Sequence, residues 1–267
     1  MDVLIEPAEL QALAQDEELL VLDVRRPADY AKGHIPGAVN FSTYDDFALD
    51  TRPAGLSAFA SGLAARYAAV GVSKFRPIVV YEDDTGMRAA REAWILEYLG
   101  LSRVRLLHGG LGAWRAAGCN VSVERTGDWT VALRVRERQE LVIGCEEIAA
   151  RLSDRTLTLL DVRDANEHAG TDNTACCTRR GCIPGSVWIE WTEFLSGGRF
   201  KEPQTLRVLL EGRGVNPDSE IVPYCHRGAR SANAYYALRH AGLNRVRNYI
   251  GSWHEWSSRS DLPIEKP

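Results

Sequence analysis

Short apolar runs alternate with helical patterns along the chain. Residues 78–81 (Ile-Val-Val-Tyr) and 104–107 (Val-Arg-Leu-Leu) are runs of strand length, and the stretch 88–98 between them has a helical pattern. The same alternation returns where 221–224 (Ile-Val-Pro-Tyr) precedes a helical stretch at 231–241. Runs of this kind are typical of strands that are buried on both faces. The pattern predicts an α/β fold with a mainly parallel sheet flanked by helices on both faces.

The chain carries this pattern twice. Leu-Asp-Val-Arg at 22–25 recurs at 160–163, an offset of 160 − 22 = 138. Further along, Gly-His-Ile-Pro-Gly-Ala at 33–38 matches Gly-Cys-Ile-Pro-Gly-Ser at 181–186, an offset of 181 − 33 = 148. The second copy has therefore gained 148 − 138 = 10 residues, which we assign to 171–180. An internal repeat of this length indicates two similar domains in tandem.

The repeat also sets the domain boundaries that we predict. Near the end of each copy, 109–114 matches 251–256 with an offset of 142. We place a first domain at 1–119 and a second at 141–267, with a charged connection at 120–140.

Cys225 is the candidate nucleophile. It follows a short apolar strand and precedes a helical stretch, and the loop between them contains Gly228. A tight loop of this kind points backbone N–H groups and the positive end of the helix dipole at its centre, which lowers the pKa of a thiol. His226, Arg227 and Arg230 supply nearby cations that could also hold an anionic substrate. The alternative, a cysteine that is merely a small buried apolar residue, leaves two arginines and a glycine turn unexplained.

The first copy has a different loop. Subtracting the offset, 225 − 142 = 83, leads to Asp83 within Tyr-Glu-Asp-Asp-Thr-Gly at 81–86. Three acids there would repel an anionic substrate, so we expect the first domain to be non-catalytic. Two roles stay open for it: a structural cover for the mouth of the second domain's site, or a degenerate duplicate that is retained for stability.

Composition and charge exclude several classes of protein. With 267 residues and a net charge of −4, the chain lacks the basic surface that general nucleic-acid binding needs. It begins with no basic segment followed by an apolar run, and no apolar stretch has the length of a membrane span. We therefore expect a cytoplasmic protein with no nucleic-acid or membrane partner. The duplication provides an internal two-domain interface, so we expect a monomer.

Taken together, these motifs resemble the tandem-domain rhodaneses, the thiosulfate and 3-mercaptopyruvate sulfurtransferases, over nearly the whole chain. The marks of the resemblance are the two Leu-Asp-Val-Arg strands, the segment 33–38, the six-residue loop 225–230 and the segment 251–256. The resemblance implies two rhodanese-like domains, of which the second is catalytic.

The resemblance also implies a double displacement. The Cys225 thiolate attacks the outer sulfur of thiosulfate, sulfite leaves, and the resulting persulfide gives its sulfur to cyanide, to a thiol or to a protein acceptor. No metal or organic cofactor is implied. The residues that it assigns to substrate binding are His226, Arg227, Gly228, Ala229, Arg230 and Ser231. Arg227 is assigned to the sulfonate group of the donor, and Arg230 to the substrate or to fastening the loop.

Two departures from the family bear on the donor. Glu167 stands where several members have a substrate-binding arginine, and the loop lacks the Cys-Gly-Ser-Gly sequence of mercaptopyruvate enzymes. Both favour thiosulfate, with mercaptopyruvate as the alternative. Cys182 replaces the histidine of the second Gly-His-Ile-Pro-Gly, which we take as a structural change. Asp161 and Arg163, at the end of a central strand, are expected to form a buried ion pair that supports the loop.

Two rival functions use the same cysteine. A cysteine phosphatase would need a longer loop, since only four residues separate Cys225 from Arg230 and a tetrahedral phosphate would not fit. A persulfide carrier would receive sulfur from one protein and pass it to another without turning over small molecules.

The inserted segment contains two adjacent cysteines, Cys176 and Cys177, shortly before Cys182. They could be ordinary loop residues, a redox or resolving pair, or part of a metal cluster. Against zinc, the adjacent pair lacks the usual C-x₂-C spacing and His168 lies at no finger-like interval, so we predict no metal site.

Overall fold

The computed structural model describes residues 3–13, 18–127, 130–172, 177 and 179–267. It divides the chain into two compact units. The first unit contains Met1–Asp46, Ala58–Arg138 and Leu195–Phe200, and the second contains Phe47–Ser57, Gln139–Phe194 and Lys201–Pro267.

The first half of the chain forms a parallel sheet in the strand order β1-β5-β4-β2-β3. Each strand is short, and its apolar residues are buried, as continuous apolar runs predict, except for the half-buried Val39. The strands are β1 (Leu4–Ile5), β2 (Leu20–Asp23), β3 (Val39–Asn40), β4 (Ile78–Tyr81) and β5 (Val104–Leu107). The helices are α1 (Pro7–Leu13), α2 (Pro27–Tyr30), α3 (Pro53–Ala68), α4 (Met87–Tyr98) and α5 (Gly110–Ala116).

The second half repeats this arrangement. Its three-stranded parallel sheet has the order β10-β6-β7, and parallel bridges from Ile221 to Val246 and from Val142 to Asn248 continue it. The strands are β6 (Leu157–Asp161), β7 (Val187–Trp188), β8 (Leu195–Ser196), β9 (Arg199–Phe200) and β10 (Glu220–Tyr224). The helices are α6 (Cys145–Ala150), α7 (Ala165–His168), α8 (Pro203–Gly212), α9 (Ala229–His240) and α10 (Ser252–Ser258). The predicted tandem α/β fold with mainly parallel sheets is confirmed.

In the first unit, the Leu-Asp-Val-Arg motif ends β2 on a buried ion pair. Arg25 Nη2 lies 2.6 Å from Asp23 Oδ2, and Asp23 is 0% exposed. Tyr81, at the end of β4, donates its hydroxyl proton to the same carboxylate at 2.6 Å and accepts the Ile35 N–H at 3.1 Å. These bonds fix the ends of β2 and β4 side by side.

Two short segments do not group with the unit in which the sequence repeat places them. Residues 195–200, which form the antiparallel pair β8 and β9, group with the first unit. Phe200 N donates to His108 Nε2 at 3.0 Å, and Thr85 N donates to the Gly198 carbonyl at 2.8 Å. The sequence repeat placed residues 195–200 in the second domain, 141–267. Their grouping with the first unit depends on hydrogen bonds between residues about a hundred positions apart, which the repeat does not reveal.

The reciprocal segment, 47–57, groups with the second unit. Its anchor is the buried Glu255 carboxylate, which accepts the Thr51 N–H and the Thr51 hydroxyl proton, each at 2.7 Å. Thr51 Oγ1 in turn accepts the Cys145 N–H at 2.9 Å.

The predicted connection 120–140 packs on the first unit as far as Arg138. Ser122 and His34 exchange backbone hydrogen bonds of 2.8 and 2.9 Å, and Arg138 N donates to the Tyr98 carbonyl at 2.8 Å. In the part of the chain that the structure describes, no helix has the length and apolar character to cross a membrane.

Replacing Thr51 by valine should destabilise the second unit by about 1–3 kcal/mol, because it leaves a buried carboxylate oxygen and the Cys145 N–H without their partner. Urea unfolding measures this change. Thr192→Val is the matched control, since the Thr192 hydroxyl bonds Glu190 at an exposed position, and it should change stability by less than about 0.5 kcal/mol. Equal stabilities of the two variants would contradict the anchoring role of Thr51.

Candidate active site

Cys225 lies between the end of β10 and the start of α9, as the sequence pattern predicts. The residue is 1% exposed, and its Sγ accepts the Gly228 N–H at 3.1 Å. Gly228 is the N-cap of the 12-residue helix α9, so the sulfur lies where the helix dipole favours negative charge. The loop can therefore hold an anionic sulfur.

Gly228 is required by the shape of this loop. Its φ of 88° lies in the left-handed region, which side chains rarely adopt. A Cβ atom there would lie 2.4 Å from Ile250 Cδ1 and 2.7 Å from the Ile250 carbonyl oxygen. Both the conformation and the space admit only glycine.

The 251–256 segment fixes the other side of the loop. Ser252 is the one non-glycine residue in the described ranges with a positive φ, 54°. Its Oγ accepts the Cys225 N–H at 3.1 Å and donates to the Tyr249 carbonyl at 2.8 Å. Trp253 N donates to the Cys225 carbonyl at 2.9 Å. Strained backbone of this kind clusters at functional sites. Sequence reasoning recognised the Gly-Ser-Trp motif but gave Ser252 no role.

The two arginines of the loop differ in their partners. Arg230 binds both oxygens of Glu167, at 2.5 and 2.9 Å, and lies 3.1 Å from Asp164 Oδ1. Burial acts to lower the pKa of Arg230, but Glu167 and the charge of Cys225 outweigh it and raise that pKa. The Arg230 charge is thus largely committed to its carboxylate partners.

Arg227, in contrast, has no carboxylate partner among the residues that the structure describes. Its guanidinium carbon lies 4.7 Å from the centre of the Phe47 ring, and its Nε is buried without a hydrogen-bond acceptor. The Ser231 hydroxyl is also buried without a partner in the described chain. Arg227 therefore differs from Arg230 in that its charge is not paired with a carboxylate of the described chain.

His226 does not supply the cation that the sequence predicted. Burial in the protein lowers the pKa of His226 to about 4, so its imidazole is neutral at pH 7. Its Nε2 lies 3.3 Å from Cys177 Sγ. His254 is close by, and burial followed by the charge of Arg227 lowers the pKa of His254 as well. Cys176 lies outside the described residues.

The predicted ion pair between Asp161 and Arg163 is present at the end of β6. Arg163 Nη2 lies 2.6 Å from Asp161 Oδ2, and the two side chains are 1% and 0% exposed. The same carboxylate accepts the Tyr224 hydroxyl proton and contacts His168 Nδ1, each at 2.9 Å. Sequence reasoning missed His168, whose link to Asp161 spans the turn from β6 into α7.

His168 is held in its protonated form by this network. Burial acts to lower the pKa of His168, but its hydrogen bonds with Asp161 and Cys182 outweigh burial and raise that pKa to about 9. Burial acts to raise the pKa of Asp161, and the bonds from His168 and Arg163 outweigh it in turn and lower that pKa. Cys182 is 2% exposed and belongs to this structural network.

The structure corrects the predicted counterpart of Cys225 in the first unit. Leu111 N donates to the Glu82 carbonyl at 2.8 Å, just as Trp253 N donates to the Cys225 carbonyl at 2.9 Å. Glu82, and not Asp83, therefore takes the place of the cysteine. The first loop has 87 − 81 − 1 = 5 residues between strand and helix, against 229 − 224 − 1 = 4 in the second, so the offset derived from the later motifs fails at this point.

Glu82 fills the position that an anion would take in the first unit. Its Oε1 accepts the Arg88 and Ala89 N–H groups, at 2.7 and 2.9 Å, at the start of α4. Asp83 points elsewhere: its side chain is 71% exposed and lies 3.2 Å from Arg25. The first unit carries its own carboxylate where the second unit has a thiol.

Comparison with known proteins agrees with the fold. The model of the Rhodanese-like domain matches residues 6–117 and again 145–259, so the chain belongs to that family. It is 34% identical over 99% of its length to a thiosulfate sulfurtransferase of Azotobacter vinelandii, of which 97% is covered. It is 30% identical over 94% of its length to a 3-mercaptopyruvate sulfurtransferase of Escherichia coli K12, of which 93% is covered.

Two further proteins bear on the fold and on the range of activities. The solved structure of wild-type EanB superimposes with a TM-score of 0.88 at 23% identity, covering 99% of this chain and 69% of that one; this likeness concerns the fold alone. The sulfur carrier protein TtuD of Thermus thermophilus is 29% identical over 98% of this chain and 93% of its own. The two sulfurtransferases and TtuD, and not EanB, support a sulfurtransferase activity for the chain.

The stability contributed by His168 should depend on pH. Its pKa is raised in the folded protein, so its contribution is complete below the ordinary value of 6.5 and is lost as pH rises through about 9. The full loss corresponds to about 3 kcal/mol. Urea unfolding at pH 6 and at pH 9.5 should show this loss in the wild type and a much smaller one in His168→Gln, which has no proton to release. Parallel losses in both proteins would show that His168 is not the titrating group.

Proposed function

We propose that the protein is a thiosulfate sulfurtransferase that carries sulfur as a persulfide on Cys225. The observation that supports this most directly is the buried Cys225 sulfur at the start of α9, which accepts the Gly228 N–H at 3.1 Å. A site that stabilises an anionic sulfur at this point suits both a thiolate nucleophile and a persulfide product.

In the first half-reaction, the Cys225 thiolate attacks the outer sulfur of thiosulfate. A new sulfur–sulfur bond forms to Cys225 while the bond to the sulfonate sulfur breaks, and sulfite leaves with that electron pair. The enzyme is left with a persulfide anion. No proton has to be removed in this step, so none of the neighbouring histidines is needed as a general base.

In the second half-reaction, cyanide or a thiolate attacks the terminal sulfur of the persulfide. The acceptor gains that sulfur, and Cys225 leaves as a thiolate with the electron pair of the broken bond. The Gly228 N–H, which lies 3.1 Å from Sγ, and the helix dipole favour negative charge on sulfur throughout. The cycle needs no metal or organic cofactor.

The charges around the loop favour thiosulfate as the donor. Arg227 has no carboxylate partner among the described residues, so it can bind the sulfonate group by charge-assisted hydrogen bonds. Arg230, the second arginine, is bound at both of its terminal nitrogens by Glu167 and Asp164. A donor such as mercaptopyruvate, whose carboxylate needs a guanidinium of its own, would have to compete with Glu167 for it.

Transfer between proteins is the second candidate, because TtuD is named as a sulfur carrier. The burial of Cys225, which is 1% exposed, favours small donors and acceptors, since the cysteine of a partner protein would have to enter the loop to reach Sγ.

Incubation with thiosulfate should add about 32 Da, one sulfur atom, to the reduced protein, and cyanide should remove it. Intact mass spectrometry measures both steps. Cys225→Ser should show no adduct, while Cys119→Ser, a change in the core of the first unit, should behave as the wild type. An adduct formed only with mercaptopyruvate would reject thiosulfate as the donor, and an adduct on Cys225→Ser would reject the nucleophile.

Arg227→Ala should raise the KM for thiosulfate by about 10–100-fold, which corresponds to the loss of a hydrogen bond to a charged group, about 1.5–3 kcal/mol. Steady-state kinetics with cyanide as acceptor measure this change. Arg155→Ala, at an exposed position of the same unit, is the matched control and should leave KM unchanged. The role of Arg227 fails if the two variants have the same KM.

A further inference from the structure

We propose that Cys177, His226 and His254 form a binding site for a divalent cation of the zinc class, directly beside the active loop. One ligand atom from each of the three residues lies within 4.8 Å of the other two. A thiolate and two imidazoles are the donors that zinc prefers, and three protein ligands with a fourth position open is a common arrangement for it.

The distances suit a zinc-sized ion. With zinc–sulfur and zinc–nitrogen bonds of about 2.3 and 2.0–2.1 Å, sulfur and nitrogen on one tetrahedral ion lie roughly 3.6 Å apart. Cys177 Sγ and His226 Nε2 are 3.3 Å apart, so this pair is already placed for shared coordination. In the absence of metal, the same distance suits a thiol that hydrogen-bonds to imidazole.

The two histidines are distant in sequence, and the fold brings them together. His226 belongs to the active loop after β10, and His254 lies in the first turn of α10. His254 N donates to the His226 carbonyl at 3.0 Å, and the two rings meet edge to face with centroids 6.0 Å apart. Backbone contacts therefore hold two ligands in place before any cation arrives. Cys177 reaches them from the inserted segment.

The surroundings of the cluster limit what can bind. Cys177 and His226 line a small cavity of about 10 Å³, which has room for roughly one water molecule and not for an organic ligand. Glu167 and Asp172 line the cavity too, as do Arg163, Arg179 and Arg180. With arginines this close, a hard cation that binds oxygen, such as Mg²⁺, is disfavoured, and the negative charge of the Cys177 thiolate is needed to hold a dication.

Sequence spacing could not reveal this site. The two adjacent cysteines and His168 show no zinc-finger interval, but the actual partners of Cys177 lie 226 − 177 = 49 and 254 − 177 = 77 residues away. His168 instead contacts Asp161.

A bound cation would also affect the active loop, a consequence that depends on the proposed function. His226 follows Cys225 directly, so a cation held by His226 and His254 would fix the loop and place positive charge beside the nucleophile. Zinc should then inhibit sulfur transfer, and it should do so less effectively when Cys177 or His254 is replaced.

Cobalt(II) is the probe that separates binding from activity, because its tetrahedral thiolate complexes absorb in the near ultraviolet and visible. We would titrate the full chain carrying Cys225→Ser, which removes the competing active-site thiolate. One equivalent should give the thiolate-to-cobalt band, and zinc should displace it. Adding Cys177→Ser should abolish the band. Adding His254→Gln should weaken affinity by at least about tenfold, since even outer-shell changes cost that much.

Adding Cys119→Ser to the same background is the matched control and should leave the titration unchanged. The site is overturned if the Cys225→Ser protein gives no band at one equivalent, or if the band survives Cys177→Ser. Should Cys177→Ser fail to fold, unchanged cobalt affinity in the His254→Gln protein overturns it equally. A wild type that binds cobalt but transfers no sulfur would leave the metal site standing and reject the proposed function.

Discussion

The buried carboxylate of Asp161 holds the second unit's site together. It is 0% exposed and binds the Arg163 guanidinium, the His168 imidazole and the Tyr224 hydroxyl. Burying this carboxylate without partners would cost several kcal/mol of folding free energy. The fold therefore keeps the three partner side chains in contact with Asp161. Tyr224 is the residue before Cys225, and its bond to Asp161 therefore fixes where β10 ends and where the active loop begins.

The first unit shows that this scaffold does not depend on the chemistry of the loop. Asp23, Arg25 and Tyr81 reproduce the ion pair and the tyrosine bond at the end of β2. The loop after Tyr81, at the end of β4, is one residue longer than its counterpart after Tyr224. In that loop the Glu82 carboxylate accepts the N–H groups at the start of α4. The same strand ends thus support a loop with an internal anion in one unit and a loop with a thiol in the other.

Within the second loop, charge is distributed unevenly. Arg230 is paired with Glu167 and Asp164, His226 is neutral because it is buried, and Arg227 has no carboxylate partner among the described residues. His226 Nε2 lies at hydrogen-bond distance, 3.3 Å, from Cys177 Sγ.

Features that depend on neighbours along the chain were predictable from the amino-acid sequence. Apolar runs and the internal repeat were enough for the tandem α/β fold, the strand–loop–helix around Cys225 identified the candidate nucleophile and its glycine turn, and the spacing of Asp161 and Arg163 predicted their ion pair. Contacts in the folded protein settle which arginine is already paired, which acid replaces the cysteine in the first unit, and which side chains surround Cys177. Burial in the fold makes the histidine beside the nucleophile neutral. Most of these properties depend on burial and on contacts between residues tens of positions apart. The counterpart of the cysteine also depends on a loop that is one residue longer in the first copy. Neither the periodicity of the sequence nor the spacing of its motifs predicts such features.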